Sequence, residues 1–527
     1  MEVLLLTCLV ILIVYLLNHY YFTYWKRHGF CQMDSPMWLL GNISDLFFFR
    51  KSFSNCFIDL YEKYKHHKYI GCYFTYKPIL FVNDPEVVQD ILVSNFSSFT
   101  DRPRFVDEVR DPISTHLFNI GGQKWRELRF KLSPTFTSGK LKGMFPIMRG
   151  CGKTLRDFML KNNSNGKNVF NFIDLFAKYT THNIVTVIFS IDSDTFDDPD
   201  NVFRKISANF SEPSKRQHIM DIFSFLVPNI LHAISIFNFR SVTANVNDFV
   251  MNFVAKIVKH REDTKFQGND FLQLLIQLKN QGYILTKKNE EVEQNGDKTR
   301  SENINIMKKL TMDEIAAQVH VFFVGGFETS TATMSFCLFE LCRRPDIQKK
   351  IQEELDNVFG ASTNFDDVTY EMFNNLKYLE CCINETLRLY PPLSILFRTC
   401  TKDYKMPDTD LIIEKGTSVY IPAIAIQRDA EIFENPLEFT PERFMDSPTG
   451  NGKANGGFYL PFGDGPRHCI GERMGKMQAK IGLASVLWKF SVEYNNKEDF
   501  GDMPELQKTQ FFLRSAKPFN FKITPRI

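Results

Sequence analysis

Residues 461–475 read PFGDGPRHCIGERMG, with Phe462, Gly465, Arg467, Cys469 and Gly471 at the offsets F-x-x-G-x-R-x-C-x-G. Five residue types at fixed offsets arise by chance in a chain of this length on the order of once in ten thousand sequences at average residue frequencies. No other stretch restricts the fold so strongly. Gly465 lets the loop turn, and the apolar spacing that follows predicts an amphipathic helix from about Ile470 to Phe490, with Cys469 just ahead of it. A helix N-terminus offers free N–H groups and partial positive charge, which stabilise a thiolate. A thiolate held there can ligate iron and donate electron density to it. Arg467, two residues away, can pair with a carboxylate of the same cofactor. A free cysteine is ordinarily a buried structural residue, and the four residue types around Cys469 reverse that expectation.

The other ten cysteines point elsewhere. Eleven Cys in 527 residues are too few for a disulfide scaffold; their number is odd, none forms C-x-x-C, and Cys381 and Cys382 are adjacent. They read as reduced thiols in a cytosol-facing protein, with no zinc ribbon. The 63 Lys+Arg against 61 Asp+Glu exclude a nucleic-acid binder that works through bulk positive charge. With 44% hydrophobic and 24% charged residues, the chain is neither disordered nor collagen-like nor a coiled coil. The 52 Phe hint at apolar cavities or membrane contact. Two decoys fall away. Gly152-Lys153-Thr154 lacks the upstream glycine of a phosphate loop, and Gly463-x-Gly465 continues into His468 instead of a dinucleotide fingerprint.

Val3 to Leu17 carry no charge, and Tyr20, Tyr21, Phe22, Tyr24 and Trp25 precede Lys26 and Arg27. This is a signal-anchor pattern of about 20 residues, roughly one bilayer at 1.5 Å per residue, with aromatics at interface depth. A cleaved signal peptide fits worse, because Glu2 stands where a basic region belongs and the positive charges lie behind the apolar run. The basic residues place the body of the protein in the cytoplasm. The Asn-x-Ser/Thr sites at Asn42, Asn95, Asn162, Asn209 and Asn384 are then chance matches.

Organisation follows as a membrane anchor over residues 1–25, a hinge over 26–42 and one catalytic domain over 43–527. Ile70 to Tyr76 and Ile79 to Val82 read as strands of a small sheet, and from about 120 to 280 the pattern is mostly helical, as in Ala244 to His260. The polar stretch 287–309 reads as a solvated loop. Thr311 and Glu314 form a capping-box pair at the head of a long helix that runs through Cys342 and stops before Pro345. Further helices are predicted over Asp346 to Phe359 and Leu376 to Tyr390. The class is mainly α with small β-sheets.

Three more motifs join the cysteine loop. Glu385-Thr386-Leu387-Arg388 is an E-x-x-R that, alone, would be an exposed helical pair worth a few tenths of a kcal/mol. Gly325-Gly326-Phe327-Glu328-Thr329-Ser330 puts two glycines inside a helix at about 1 kcal/mol each, which close helix packing or a guest molecule would explain. Trp125 and Arg129 form a W-x-x-x-R that, alone, could be any amphipathic turn.

Together these residues resemble the cytochrome P-450 superfamily of haem-thiolate monooxygenases, in texture its insect microsomal, detoxification-type branch, over nearly the whole chain. The resemblance implies the cytochrome P-450 fold with a single N-terminal transmembrane helix, haem b as cofactor and Cys469 as axial iron ligand. It further implies Phe462 shielding the sulfur, with Arg467, Trp125, Arg129 and Arg398 reaching the haem propionates. Gly326 would make room for dioxygen, and Glu328 and Thr329 would relay protons to it; Gly325 stands where the family commonly has Ala. Glu385, Arg388 and Arg443 would form a buried structural charge network, costly to break. The family usually carries several prolines around Pro36, and this chain has one.

The reaction implied is insertion of one oxygen atom from O2 into a lipophilic small molecule, whether xenobiotic, plant toxin, hormone or fatty acid. Electrons are expected from NADPH through NADPH-cytochrome P-450 reductase, with cytochrome b5 as an optional second donor, at the endoplasmic reticulum membrane. Arg126, Lys131, Arg473, Lys476 and Lys480 could form a basic docking face or be ordinary solvated charges. By family position the pocket is lined by about Thr100 to Ile120, Phe210 to Phe239, Leu393 to Phe397 and Phe512 to Pro518. Ile222 to Phe237 would also dip into the bilayer. A haem-thiolate isomerase or dehydratase would share Cys469, need no reductase and typically lack the pair Glu328-Thr329, and a non-catalytic haem-binding protein would tolerate loss of Gly326 and Thr329.

Overall fold

The computed structural model describes residues 2–526 except 35, 212–213, 227–239, 241, 283–308, 361, 363, 446–457, 496–500 and 502. Most of the polar loop over 287–309 and most of the segment Ile222 to Phe237 therefore lie outside the described residues. The helices used below are α1 (Glu2–Phe22), α2 (Gly122–Leu132), α3 (Ser138–Ser164), α4 (Phe172–Phe189), α5 (Lys215–Leu226), α6 (Met312–Arg343), α7 (Lys377–Leu389) and α8 (Glu472–Leu487). The strands are β1 (Tyr69–Phe74), β2 (Lys77–Val82), β3 (Val169–Asn171), β4 (Leu396–Thr399), β5 (Tyr404–Lys405), β6 (Ile412–Ile413), β7 (Ser418–Ile421), β8 (Phe490–Tyr494) and β9 (Asn520–Pro525). They form sheets in the orders β1-β2-β7-β4, β3-β9-β8 and β5-β6. The fold is mainly helical with small sheets, as the sequence pattern predicts.

Helix α6 is the spine. Thr311 caps it: its hydroxyl accepts the Glu314 N–H at 3.1 Å, and the Glu314 carboxylate accepts the Thr311 N–H at 2.8 Å. The capping box pairs two orphan donors of the first turn. From there α6 runs buried against α4 and α8, which places its middle beside the cysteine loop. Helix α8 ends at Leu487, three residues short of the expected Phe490, because alternating burial takes over: Phe490 and Val492 are buried and β8 pairs with β9.

Helix α1 exposes its apolar side chains over Val3–Leu9 and Ile11–Leu17, and it is long enough to cross a bilayer. The aromatic run behind it divides. Tyr20 and Tyr21 stay exposed, whereas Phe22 and Trp25 are buried in the body. The Trp25 indole N–H donates to the Cys72 carbonyl at 3.0 Å, and its ring lies 2.1 Å from where a Cβ on Gly71 would stand. Only glycine admits that ring. Within the segment 26–42, Phe30 and Met33 join the same core, and the Met33 N–H donates to Gly71 at 2.8 Å.

Glu385 and Arg388 on α7 are both sealed from solvent. Arg388 donates to the two Glu385 oxygens at 2.7 and 2.8 Å and to the carbonyls of Gln427, Pro436 and Glu438. The Thr440 N–H donates to Glu385 at 2.9 Å, and Arg443 stands 3.4 Å from the same carboxylate. This network ties α7 to the chain that leads into the cysteine loop.

Candidate active site

The loop before α8 folds back on itself. Gly463 and Gly465 have φ of +71° and +69°, and a Cβ on Gly465 would fall 1.9 Å from the Leu92 carbonyl oxygen, so no larger residue fits there. The Cys469 N–H donates to the Phe462 carbonyl at 2.9 Å. Phe462 and Cys469 thereby line one cavity of about 440 Å³. Cys469 is open toward that cavity and enclosed by protein elsewhere. Burial pushes its thiol above the ordinary value, while the Gly471 N–H and the charges of Arg129 and Arg102 pull it down.

Five guanidiniums reach the same cavity: Arg102, Arg104, Arg129, Arg398 and Arg467. Arg467 donates to the carbonyls of Thr100 and Ile120, both at 2.8 Å, and lies 4.0 Å from the centre of the Trp125 ring. Arg398 donates to Phe397 at 2.9 Å, and its buried Nε has no hydrogen-bond partner among the described residues. Arg102 donates to the carbonyls of Phe118 and Arg467. Burial pulls Arg467 down to about 9 and Arg398 to about 10, and it also lowers Arg102 well below its ordinary value, with help from the charges of Arg398 and Arg467. Asp101, 3.8 Å from Arg467, and Asp464 offset only part of this charge. Cations buried against one another suit a guest bearing two carboxylates.

Sequence reasoning missed Arg102. No motif surrounds it; its one signal is position, beside Pro103 in a loop already assigned to the pocket.

The two glycines of α6 do different work. A Cβ on Gly325 would meet nothing within 4 Å, whereas one on Gly326 would fall 2.5 Å from Ile184 Cδ1. Gly325 therefore leaves open space, and Gly326 admits close approach of α4. Thr329 lines the cavity, its hydroxyl donating to the Gly325 carbonyl at 2.5 Å. Glu328 is not among the lining residues: it is buried, with its carboxylate 3.7 Å from Arg514. Successive helical residues point about 100° apart, so adjacent positions face different surroundings. Trp125, Arg129, Arg398, Phe462, Gly326, Arg467, Cys469 and Thr329 are thus brought together, and Glu328 faces away.

The basic residues that the sequence left as either a docking face or ordinary solvated charges are partly spent inside the protein. Lys480 is buried against Glu380 at 2.8 Å, Lys131 is buried, and Lys476 pairs with Glu472 at 2.8 Å. Arg126 and Arg473 remain exposed.

The cytochrome P-450 family profile matches residues 32–523. The chain belongs to the cytochrome P-450 family. It is 38% identical to the probable cytochrome P-450 6d5 of Drosophila melanogaster, over 94% of each chain. It is 37% identical to cytochrome P-450 6a2 of the same fly, over 90% of each, and 35% identical to cytochrome P-450 6k1 of Blattella germanica, over 93% of this chain and 91% of that one. These relatives are insect proteins, in line with the branch that the sequence resembles, and the chain is a cytochrome P-450 monooxygenase.

Proposed function

We propose that this cytochrome P-450 holds haem b beside Cys469 and inserts one oxygen atom from O2 into a lipophilic small molecule. Its electrons come from NADPH through a flavoprotein reductase, with cytochrome b5 as an optional donor. The observation that carries this reading is the convergence of Cys469, the arginines, Trp125 and Thr329 on one cavity. The residues fit the group: the orphaned Arg398 Nε and the surplus of buried cations call for anionic partners, as propionates would be. Haem, when bound, supplies activation of dioxygen at an iron held by the Cys469 thiolate.

The chain's own residues do the rest. The Gly471 N–H stabilises negative charge on sulfur, and Phe462 covers the loop side. Arg102, Arg129, Arg398, Arg467 and Trp125 orient the carboxylates. Thr329 Oγ1 is the hydroxyl placed to pass a proton into the cavity, and Glu328, next to it on α6, is the acid that recharges it from the side of Arg514. The apolar remainder of the wall excludes water and selects lipophilic molecules. Helix α1 anchors the enzyme in the endoplasmic reticulum membrane, catalytic domain toward the cytoplasm.

The test is the absorption of the reduced, carbon-monoxide-bound protein. A strongly red-shifted Soret band lost in Cys469→Ser is expected; an unshifted band, or one that survives the substitution, overturns the thiolate assignment. A rearranged or dehydrated product that has gained no oxygen and forms without reductant would instead indicate an isomerase or dehydratase, and no product with NADPH and reductase would indicate a non-catalytic haem protein.

A further inference from the structure

The cavity has two chemically different ends. Beside Gly326 its wall is apolar, with Ile184, Val187 and Ile188 of α4. Elsewhere the loop after Asp101 and helix α5 contribute Arg104, His116, Asn119, Gln217, Asp221 and Ser224 to the lining. The His116 part of this group is held beside the N-terminal half of α6, away from Thr329. The Leu117 N–H donates to Gln318 of α6 at 2.9 Å, and the His116 ring lies 6.2 Å from that of His320. His320 precedes Thr329 by nine residues, about 14 Å along the helix at 1.5 Å per residue.

Most of these groups are spoken for. Arg104 Nε donates to Asn119 at 2.9 Å, Gln217 donates to Asp221 at 2.9 Å, and the charges of Arg104 and Asp221 act on each other. His116 differs, since neither of its ring nitrogens has a hydrogen bond among the described residues, and its Nδ1 is sealed from the cavity. Burial keeps the imidazole neutral. A neutral ring carries one N–H, and burying that N–H at Nδ1 without an acceptor would cost its full desolvation. The proton therefore belongs on Nε2, the nitrogen left to meet a guest.

We propose that His116, backed by Arg104 and Asp221, forms a hydrogen-bonding subsite for a neutral oxygen acceptor, a carbonyl or ester, at one end of an otherwise apolar substrate, and so turns the opposite end toward Thr329. A carboxylate is the poorer guest, because Asp221 already answers the charge of Arg104. This inference rests on the monooxygenase reading of the same cavity.

The probes are 4-phenylcyclohexanone and phenylcyclohexane, one skeleton with and without the carbonyl, titrated calorimetrically into the haem-loaded full-length protein. His116→Leu is expected to weaken ketone binding about tenfold and hydrocarbon binding less than about twofold, the worth of one hydrogen bond. His116→Gln, which keeps a donor, is expected to hold the ketone within about threefold of wild type. Equal losses for both probes, or none for the ketone, overturn the subsite. Turnover of wild type gives a second reading that needs no variant: oxidation at the phenyl end supports the orientation, and oxidation beside the carbonyl overturns it. Failure of the carbon-monoxide spectrum would sink the monooxygenase reading first, while ketone-selective binding is measured without turnover.

Discussion

Two groups of buried arginines lie close to the cysteine loop and differ in what answers their charge. Arg388 spends its guanidinium on both oxygens of Glu385 and on three carbonyls. Arg102, Arg398 and Arg467 instead sit within one another's fields at the wall of a cavity, and one nitrogen is left unpaired. The first group is closed by the protein; the second is closed only when a guest arrives. The same division runs through α6, where Gly326 is filled by Ile184 and Gly325 faces open space. A buried charge or a missing side chain thus marks structure where the chain completes it, and a site where it does not.

The largest expected effect tests the closed side. Glu385→Gln leaves Arg388 buried against a neutral amide and should cost about 3–5 kcal/mol of unfolding free energy in urea. A loss below about 1 kcal/mol would mean that the network is not the lock its geometry suggests.

Titration comes next, and the two sides should differ in sign. Glu472 is half-buried yet held down to about 2: burial opposes this, and His468 at 2.6 Å together with Lys476 outweighs it. Its folded value lies below the ordinary 4.5, so its contribution is present above that pH and is lost as pH falls toward 2. Asp221, in the cavity wall, is pushed up from 3.8 to about 7 by burial. Its contribution is present below 3.8 and lost as pH rises through 7. Glu472→Gln should therefore flatten the acid limb of a stability profile, by about 3 kcal/mol at 1.36 kcal/mol per unit. Asp221→Asn should flatten the limb between about pH 4 and 7. Parallel profiles for either variant and wild type would remove that half of the contrast.

Much of this division escaped the sequence for a physical reason. Signals written within one turn were legible: the Thr311–Glu314 box placed the start of α6, and Pro345 its end. The cysteine motif is likewise local, and it placed Cys469 correctly at the mouth of α8. Contacts across several tens of residues or more leave no such trace. Nothing near Lys480 announces Glu380, and nothing near Trp25 announces Gly71, so a docking lysine and an interfacial aromatic turned out buried. Arg102 belongs to the same class, since its meaning comes from Arg398 and Arg467. Which side of α6 each glycine faces also depends on the neighbour, α4, and not on the pair itself.

The glycines give the third prediction. Gly326→Ala drives a methyl into Ile184 and should cost about 1–3 kcal/mol by overpacking. Gly325→Ala meets no atom and should gain about 0.5–1 kcal/mol from helix propensity. Equal effects of the two substitutions would erase the distinction within α6.

The finest test sets Arg398→Leu beside Arg388→Leu. Arg388 completes a closed network, so its loss strands Glu385 and should again cost about 3–5 kcal/mol. Arg398 makes no ion pair with a carboxylate among the described residues, Asp464 acting on it only as a nearby charge, and removing it also relieves Arg102 and Arg467 of a like charge. Unfolding of the haem-free chain should therefore change by less than about 1 kcal/mol. Its cost should appear only when the guest is present, as roughly tenfold faster transfer of haem to apomyoglobin, the loss of one charge-assisted contact. If Arg398→Leu destabilised the haem-free chain as much as Arg388→Leu, the two groups of arginines would be of one kind. If it did so little in either state, the cations at the cavity wall would not be there for carboxylates.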